Sequence, residues 1–260
     1  MTRFMGVDIG SVTTKGVVTG DGNIEAYLII PSGSNFREAA EKLYAELLKK
    51  AGVQAEDIAY TTITGHGTNH IPYGDQKVAD MRCCARGINR LFPSVRTVID
   101  VQGQSSQVIR VSENGQVINF VVSEKCASGS GRFLDIISNV LQVKLEDVGK
   151  LSLESDNPVV FTTACAVFGE SEAISRVAEG ISKEDILAGV HKALADKISA
   201  LVDRLGLEEM CAISGGGALN IGLIKRLEEK LGVKLQIPDQ PQLVNAIGAA
   251  VMAEEAYKAK

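Results

Sequence analysis

Phe4–Val18 reads FMGVDIGSVTTKGVV, and Thr97–Val111 reads TVIDVQGQSSQVIRV. With Asp8 laid on Asp100, 92 residues apart, the two stretches superpose. Each has an apolar strand, an Asp, a tight polar turn holding a Gly, and an apolar return strand. Asp and Gly are ordinary turn residues, so one such hairpin alone says little. Two at matching places, together with the glycine triplet in SGGGALN (Ser214–Asn220), point to duplicated β-rich α/β domains facing each other across a cleft.

Outward from the hairpins, strands and helices alternate. FMGVDIG, TKGVVTG and NIEAYLII read as three strands separated by turns. FREAAEKLYAELLKKAG is a helix with Leu43, Leu47 and Leu48 on one face and Gly52 as its stop. IAYTTITG is a strand, and VADMRCCARGINRLF a helix ending before Pro93. VINFVVSE returns to a strand. A helix after Cys126 carries Phe133, Ile137, Val140 and Leu141 on one stripe; another after Cys165 carries Ile174, Val177 and Ala178. EDILAGVHKALADKISALVDRLG is a long helix capped by Gly206. MCAISGGGALN is a strand running into a glycine turn, then a helix to Gly232, and a last helix starts near Val244.

The chain has 260 residues, 45% hydrophobic and 23% charged, which favours two domains of ordinary size. A formal charge of −5 without a basic stripe argues against nucleic acid as partner. The apolar runs are far too short to span a membrane. MTRFMGVDIG enters a strand without the apolar core of a signal peptide, so a cytoplasmic protein is expected. Five cysteines there, with Cys83 and Cys84 adjacent, are not expected to form structural disulfides.

The turns carry the chemistry of phosphate binding. Gly10 and Gly103 let backbone N–H groups approach an anion, and Ser11, Thr13 and Thr14 add hydroxyl donors. Lys15 supplies positive charge. Asp8 and Asp100 suit a hydrated Mg2+, which takes a few carboxylates plus water. Gly215, Gly216 and Gly217 lie between a strand and a helix, where backbone N–H groups can meet a nucleotide. Neither a Walker A nor a G-x-G-x-x-G pattern is present.

Two further stretches, SEKCASGSGRFLDIISNVL from Ser123 and TTACAVFGESEAISRVAEG from Thr162, each set a thiol ahead of an amphipathic helix. Helix N-termini carry free N–H donors and partial positive charge, which suit an anionic centre. The plain alternative is two buried cysteines. For Cys83, Cys84 and Cys211, set within apolar patterns, that alternative is the better reading.

GVDIGSVTTK, TVIDVQGQ, EKCASGSGRFLD, TACAVFGESEAIS, SGGGALN and NAIGAA, in this order, give the whole chain a resemblance to one family. It is similar to the activators of 2-hydroxyacyl-CoA dehydratases and to the ATPase subunits of ATP-dependent benzoyl-CoA reductase. The resemblance implies the duplicated α/β fold of acetate and sugar kinases, Hsc70 and actin (RNase H-like). A first domain would span 1–93, closed by a helix over 244–260, and a second 94–243. It implies ATP/ADP and Mg2+ as ligands, with Asp8, Asp100 and Gln104 catalytic. Gly10, Ser11, Val12, Thr13, Thr14, Lys15, Gly103, Gln104, Gly215, Gly216, Gly217, Asn220 and Gln242 would contact nucleotide.

It further implies one 4Fe–4S cluster bridging two chains, in a homodimer or a pair of related subunits, with Cys126 and Cys165 as each chain's ligands. ATP would drive one low-potential electron, received from reduced ferredoxin or flavodoxin, into an acyl-CoA dehydratase or reductase. The physical chemistry agrees: such a cluster takes four thiolates, and one chain offers two in suitable places.

The chain departs from the family where most members read Gly-Gly-Gln-Asp, followed by a Lys two residues on. Here the stretch is Gln102-Gly103-Gln104-Ser105, and Gln107 replaces the Lys. That change and CASGSG both lean toward the reductase-subunit branch. Glu170 and Glu172 read as first-turn acids favouring the helix dipole. His66, His70 and His191 lack metal-ligand spacing and receive no role. A small-molecule kinase of the same fold would have no use for the paired cysteine–helix motifs. A nucleotide-dependent module with the cluster as sensor is the remaining alternative.

Overall fold

The computed structural model describes residues 2–123, 129–161 and 166–260. By compactness the chain forms two units. One comprises Met1–Val95, Val111–Ile118 and Pro238–Lys260, the other Arg96–Arg110 and Asn119–Ile237. In chain order the first unit holds β1 (Arg3–Ile9), β2 (Thr13–Gly20), β3 (Asn23–Pro31), α1 (Phe36–Ala51), β4 (Ile58–Thr64), β5 (Gln76–Lys77) and α2 (Asp80–Leu91). Then come β6 (Thr97–Val101), β7 (Ser106–Val111), β8 (Val117–Val122), α3 (Gly131–Val140), α4 (Val148–Leu151), α5 (Ala166–Ala178) and α6 (Lys183–Leu205). The chain continues with β9 (Cys211–Ser214), α7 (Ile221–Leu231) and β10 (Leu235–Gln236), and α8 (Val244–Lys258) returns it to the first unit.

The sheet orders are β3-β2-β1-β4-β5 and β10-β9-β6-β7-β8. In each, an antiparallel hairpin is extended by two parallel strands on the side of its first strand. β1 therefore stands among its neighbours as β6 does among its own.

Alternation along β1 sends successive side chains to opposite faces. Met5, Val7 and Ile9 pack with Leu43 and Leu47 of α1, while Phe4 packs with Tyr60 and Ala253 on the other face. α1 starts where Asn35 accepts the Glu38 N–H at 3.3 Å and stops at Gly52, in the left-handed conformation with φ 70°. α8 lies against α2 at Gly248, where an added Cβ would come within 1.7 Å of the Cys83 carbonyl. In the second unit Ile99, Val101 and Val108 pack with Phe133, Leu134 and Ile137 of α3 and Leu187, Val190 and Leu194 of α6.

The pattern misleads at α5. Ile174 and Val177, expected on a buried stripe with Ala178, are 54% and 46% exposed, and Ala178 is exposed too. The short strands β5 and β10 and the single-turn α4 carry too few residues to show a period and were not expected.

Candidate functional site

The 92-residue offset holds through both turns. In the first hairpin Asp8 pairs with Lys15, and the Gly10 N–H donates to the Thr13 carbonyl at 3.1 Å. In the second, Asp100 pairs with Gln107, and the Gln102 N–H donates to the Ser105 carbonyl at 2.9 Å. Val12 and Gln104, both exposed, occupy equivalent tips.

The carboxylates differ in their partners. Lys15 Nζ donates to Asp8 Oδ2 at 2.9 Å in a pair that is 13% and 5% exposed. Asp8 Oδ1 has no protein partner among the described residues and fits a hydrated cation. Asp100 Oδ2 accepts Gln107 Nε2 at 3.0 Å and Gln102 Nε2 at 2.6 Å, while Oδ1 accepts the Ser214 hydroxyl at 2.9 Å. With both oxygens engaged, Asp100 ties β6 to β7 and β9 and fits a cation less well than Asp8 does. Thr14, expected as a hydroxyl donor to an anion, is fully buried, and its hydroxyl bonds Ser32 Oγ at 2.8 Å. Ser32 also donates to the Gly10 carbonyl at 2.7 Å, bracing the turn. Ser11 and Thr13 remain partly exposed at that turn.

The glycine turn follows β9. Gly215 has φ 80°, and a Cβ there would lie 2.4 Å from the Val101 carbonyl and 2.8 Å from Asp100 Oδ1, so only glycine fits. The first unit repeats this with a segment that sequence reasoning passed over. Thr64 lies opposite Asp8 as Ser214 lies opposite Asp100. Gly65, at φ 93°, would carry a Cβ 2.3 Å from Asp8 Oδ1 and 2.6 Å from the Ile9 carbonyl. Gly67 and Gly217 abut Ile9 and Val101 likewise. Thr64-Gly65-His66-Gly67 is thus the counterpart of Ser214-Gly215-Gly216-Gly217, and TGHG against SGGG was the available signal.

A model of the BadF/BadG/BcrA/BcrD ATPase family matches residues 5–253. The chain belongs to that family. It is 38% identical over 258 residues to the 2-hydroxyisocaproyl-CoA dehydratase activator of Clostridioides difficile, covering 98% of this chain and 96% of the relative. Identity to a benzoyl-CoA reductase subunit from Thauera aromatica is 33% over 263 residues, covering 96% and 93%. The lean toward the reductase branch is therefore not reflected in overall identity. The solved activator of the Clostridium difficile 2-hydroxyisocaproyl-CoA dehydratase, with bound ADPNP, superposes with a TM-score of 0.94 at 36% identity, over 99% of this chain and 96% of that one. A ROK family glucokinase from Streptomyces griseus, at 14% identity and TM-score 0.62 over 97% and 99%, shares the fold. The architecture is that of actin-like ATPases and sugar kinases.

In this family member the remaining expected residues fall as follows. Gly103 and Gln104 lie on the β6–β7 turn, and Asn220 caps α7 directly after the glycine turn. Gln242 sits in the turn Pro241–Leu243 that packs on β2. Cys126 and Cys165 lie outside the described residues. Among the described residues no group of three His, Cys, Asp or Glu could hold a metal. The flanks of the Cys126 segment are tied down: Ser106 of β7 accepts the Ser123 N–H at 2.8 Å, and its hydroxyl donates to the Gly129 carbonyl. The first N–H groups of α3, of Gly131 and Arg132, donate to the Gln102 and Gly103 carbonyls at 2.9 and 3.0 Å. The other cysteines are buried, and burial pushes the thiols of Cys83 and Cys211 up to about 12.

Proposed function

We propose that the chain is a cytoplasmic ATP-hydrolysing electron donor, bearing half the ligands of a 4Fe–4S cluster shared with a second chain and delivering electrons to an acyl-CoA dehydratase or reductase. The observation that carries this reading is the docking of α3 on the β6–β7 turn. The helix that follows Cys126 begins by hydrogen-bonding the carbonyls of Gln102 and Gly103, the residues expected to face phosphate. A shift of that turn on nucleotide turnover is transmitted to the segment carrying the thiol.

The donor set supports the cluster. Cys83, Cys84 and Cys211 are buried, and burial pushes the thiols of Cys83 and Cys211 up to about 12; of the five cysteines, Cys126 and Cys165 are the two that would supply two of the four positions. When bound, the cluster supplies a single low-potential electron. The apolar surface of α5, with Phe168 67% exposed, supports a protein interface beside Cys165.

Around the nucleotide, Lys15 meets phosphate charge, and Gly10 and Gly103 bring backbone donors close. Asp8, through its uncommitted Oδ1, would hold a hydrated Mg2+, which neutralises charge developing on the transferred phosphoryl group. Gln104 orients the water that attacks it. Asp100 keeps the second turn in register with β9.

The test is anaerobic purification, which should yield brown protein with about four irons per two chains. Electron delivery to a dehydratase or reductase should stop without ATP. Full iron retention after Cys126→Ser would overturn the ligand assignment, and electron transfer indifferent to ATP would overturn the function.

A further inference from the structure

His191 on α6 is fully buried, and both of its ring nitrogens face oxygen. Nδ1 lies 2.7 Å from the Leu187 carbonyl and Nε2 2.9 Å from Asn220 Oδ1. Asn220 Oδ1 also accepts the Leu223 backbone N–H at 2.9 Å, the cap of α7. That bond fixes which end of the carboxamide is oxygen, because a flipped amide would turn its NH2 onto an N–H. An oxygen opposite Nε2 in turn requires a proton on Nε2. The neutral ring with its proton on Nε2 and the imidazolium both meet that need, whereas a neutral ring with its proton on Nδ1 serves the Leu187 carbonyl instead.

Asn220 is closed in from a third side, since a Cβ on Gly149 of α4 would stand 2.7 Å from Oδ1. The carboxamide oxygen therefore spends its accepting capacity inside the protein. Its Nδ2 has no partner among the described residues, and Asn220 is partly exposed. The residue ends the Gly216–Leu219 helical turn, three positions after Gly217, and at the other end of the glycine run Ser214 bonds Asp100. The charged group bearing on the ring is Arg226 of α7, itself paired with Glu229.

We propose that His191 is a positioning residue for the nucleotide. By donating from Nε2 to Asn220 Oδ1, it holds the carboxamide so that its NH2 is offered to an oxygen acceptor of a nucleotide seated against the glycine turn. The proposal rests on the nucleotide-binding reading above. An N-cap asparagine with one bond keeps rotational freedom that binding must remove; the second bond removes it beforehand.

The test measures ATP affinity of the intact protein for His191→Phe, His191→Gln, Asn220→Ala and the double variant His191→Phe/Asn220→Ala. His191→Phe fills the volume without a donor and should weaken ATP about three- to tenfold, the worth of one hydrogen bond. His191→Gln, whose amide nitrogen reaches as Nε2 does, should restore most of the loss. In the Asn220→Ala background the His191→Phe effect should vanish. A folded His191→Phe protein that binds ATP like wild type overturns the proposal, as does an equal loss in both backgrounds.

Should His191→Phe not fold, 15N NMR of the wild-type chain decides. Only three histidines contribute, and the His191 Nε2 should carry a proton and shift on saturation with ADP. An unprotonated Nε2, or one that ADP leaves unmoved, sinks the idea. Wild-type protein that takes up no nucleotide sinks the functional reading itself, an outcome distinct from nucleotide uptake indifferent to His191.

Discussion

Lys15 and Gln107 occupy the same point of two equivalent hairpins, and the difference sets what each carboxylate does. Lys15 compensates a carboxylate that is nearly buried, so Lys15→Ala leaves Asp8 without its cation. We expect a loss on the order of 2 kcal/mol in unfolding free energy, read by urea denaturation. Nucleotide affinity, measured by calorimetry, should fall with it. Gln104, exposed at the tip of the other turn, should behave oppositely. Gln104→Ala should keep ATP affinity and lower turnover about tenfold or more, since a water-orienting group acts on the reaction and not on binding. Equal turnover in that variant would remove Gln104 from the chemistry.

A third residue adds a pH dependence. Burial holds His191 below its ordinary value of 6.5, against the opposing hydrogen bonds of Leu187 and Asn220. The unfolded chain then binds the proton more readily than the folded one. This site's stability is complete above about pH 6.5 and declines as pH falls below it. Urea midpoints between about pH 5 and 7.5 should slope more steeply for wild type than for His191→Gln. Parallel curves would mean that the ring does not titrate below the usual value.

At the scale of elements, α3 is the piece that would join the two chemistries of the proposed function. A Cβ added at Gly131 would sit 3.3 Å from the Gln102 carbonyl, tighter than ordinary contact, so the helix start and the turn must move apart by tenths of an ångström. Gly131→Ala should therefore retain its iron yet lose several-fold in the ATP-dependent electron transfer rate, because the coupling bonds lengthen. Unchanged coupling with full iron would locate the transmission elsewhere. Much of this was legible in the sequence. The two Asp-centred hairpins, the capped helices α1, α6 and α7 and the glycine triplet all follow from strand alternation, helical period and turn chemistry. The Thr64–Gly67 turn was not, because its likeness to Ser214–Gly217 shows only once β4 is laid beside β1 as β9 is beside β6. Ser32 and His191 escaped for a related reason. Their partners, Thr14 with Gly10 and Asn220, are 18, 22 and 29 residues away, and no local period marks such a pairing.

For the whole molecule, the exposed apolar residues of α5 bear on how many chains make the working protein. Phe168, Ile174 and Val177 lie on the helix that begins directly after Cys165, and Val160 lies shortly before it. Exposed apolar side chains cost solubility in a lone chain, a cost recovered where a second chain covers them. Two thiols per chain are also half of what a four-thiolate cluster takes. If the second chain supplies the other two thiolates, iron and the second chain should stabilise one another. Anaerobic light scattering should find the iron-loaded protein dimeric and the chelator-stripped protein shifted toward monomer at the same concentration. The linkage runs both ways. Phe168→Ser should weaken the dimer and, with both cysteines intact, speed iron loss to the chelator several-fold. A stripped protein that dimerises as tightly as the loaded one would show that the cluster contributes nothing to association. A monomer holding about four irons would be a stronger blow, since one chain would then need ligands beyond Cys126 and Cys165.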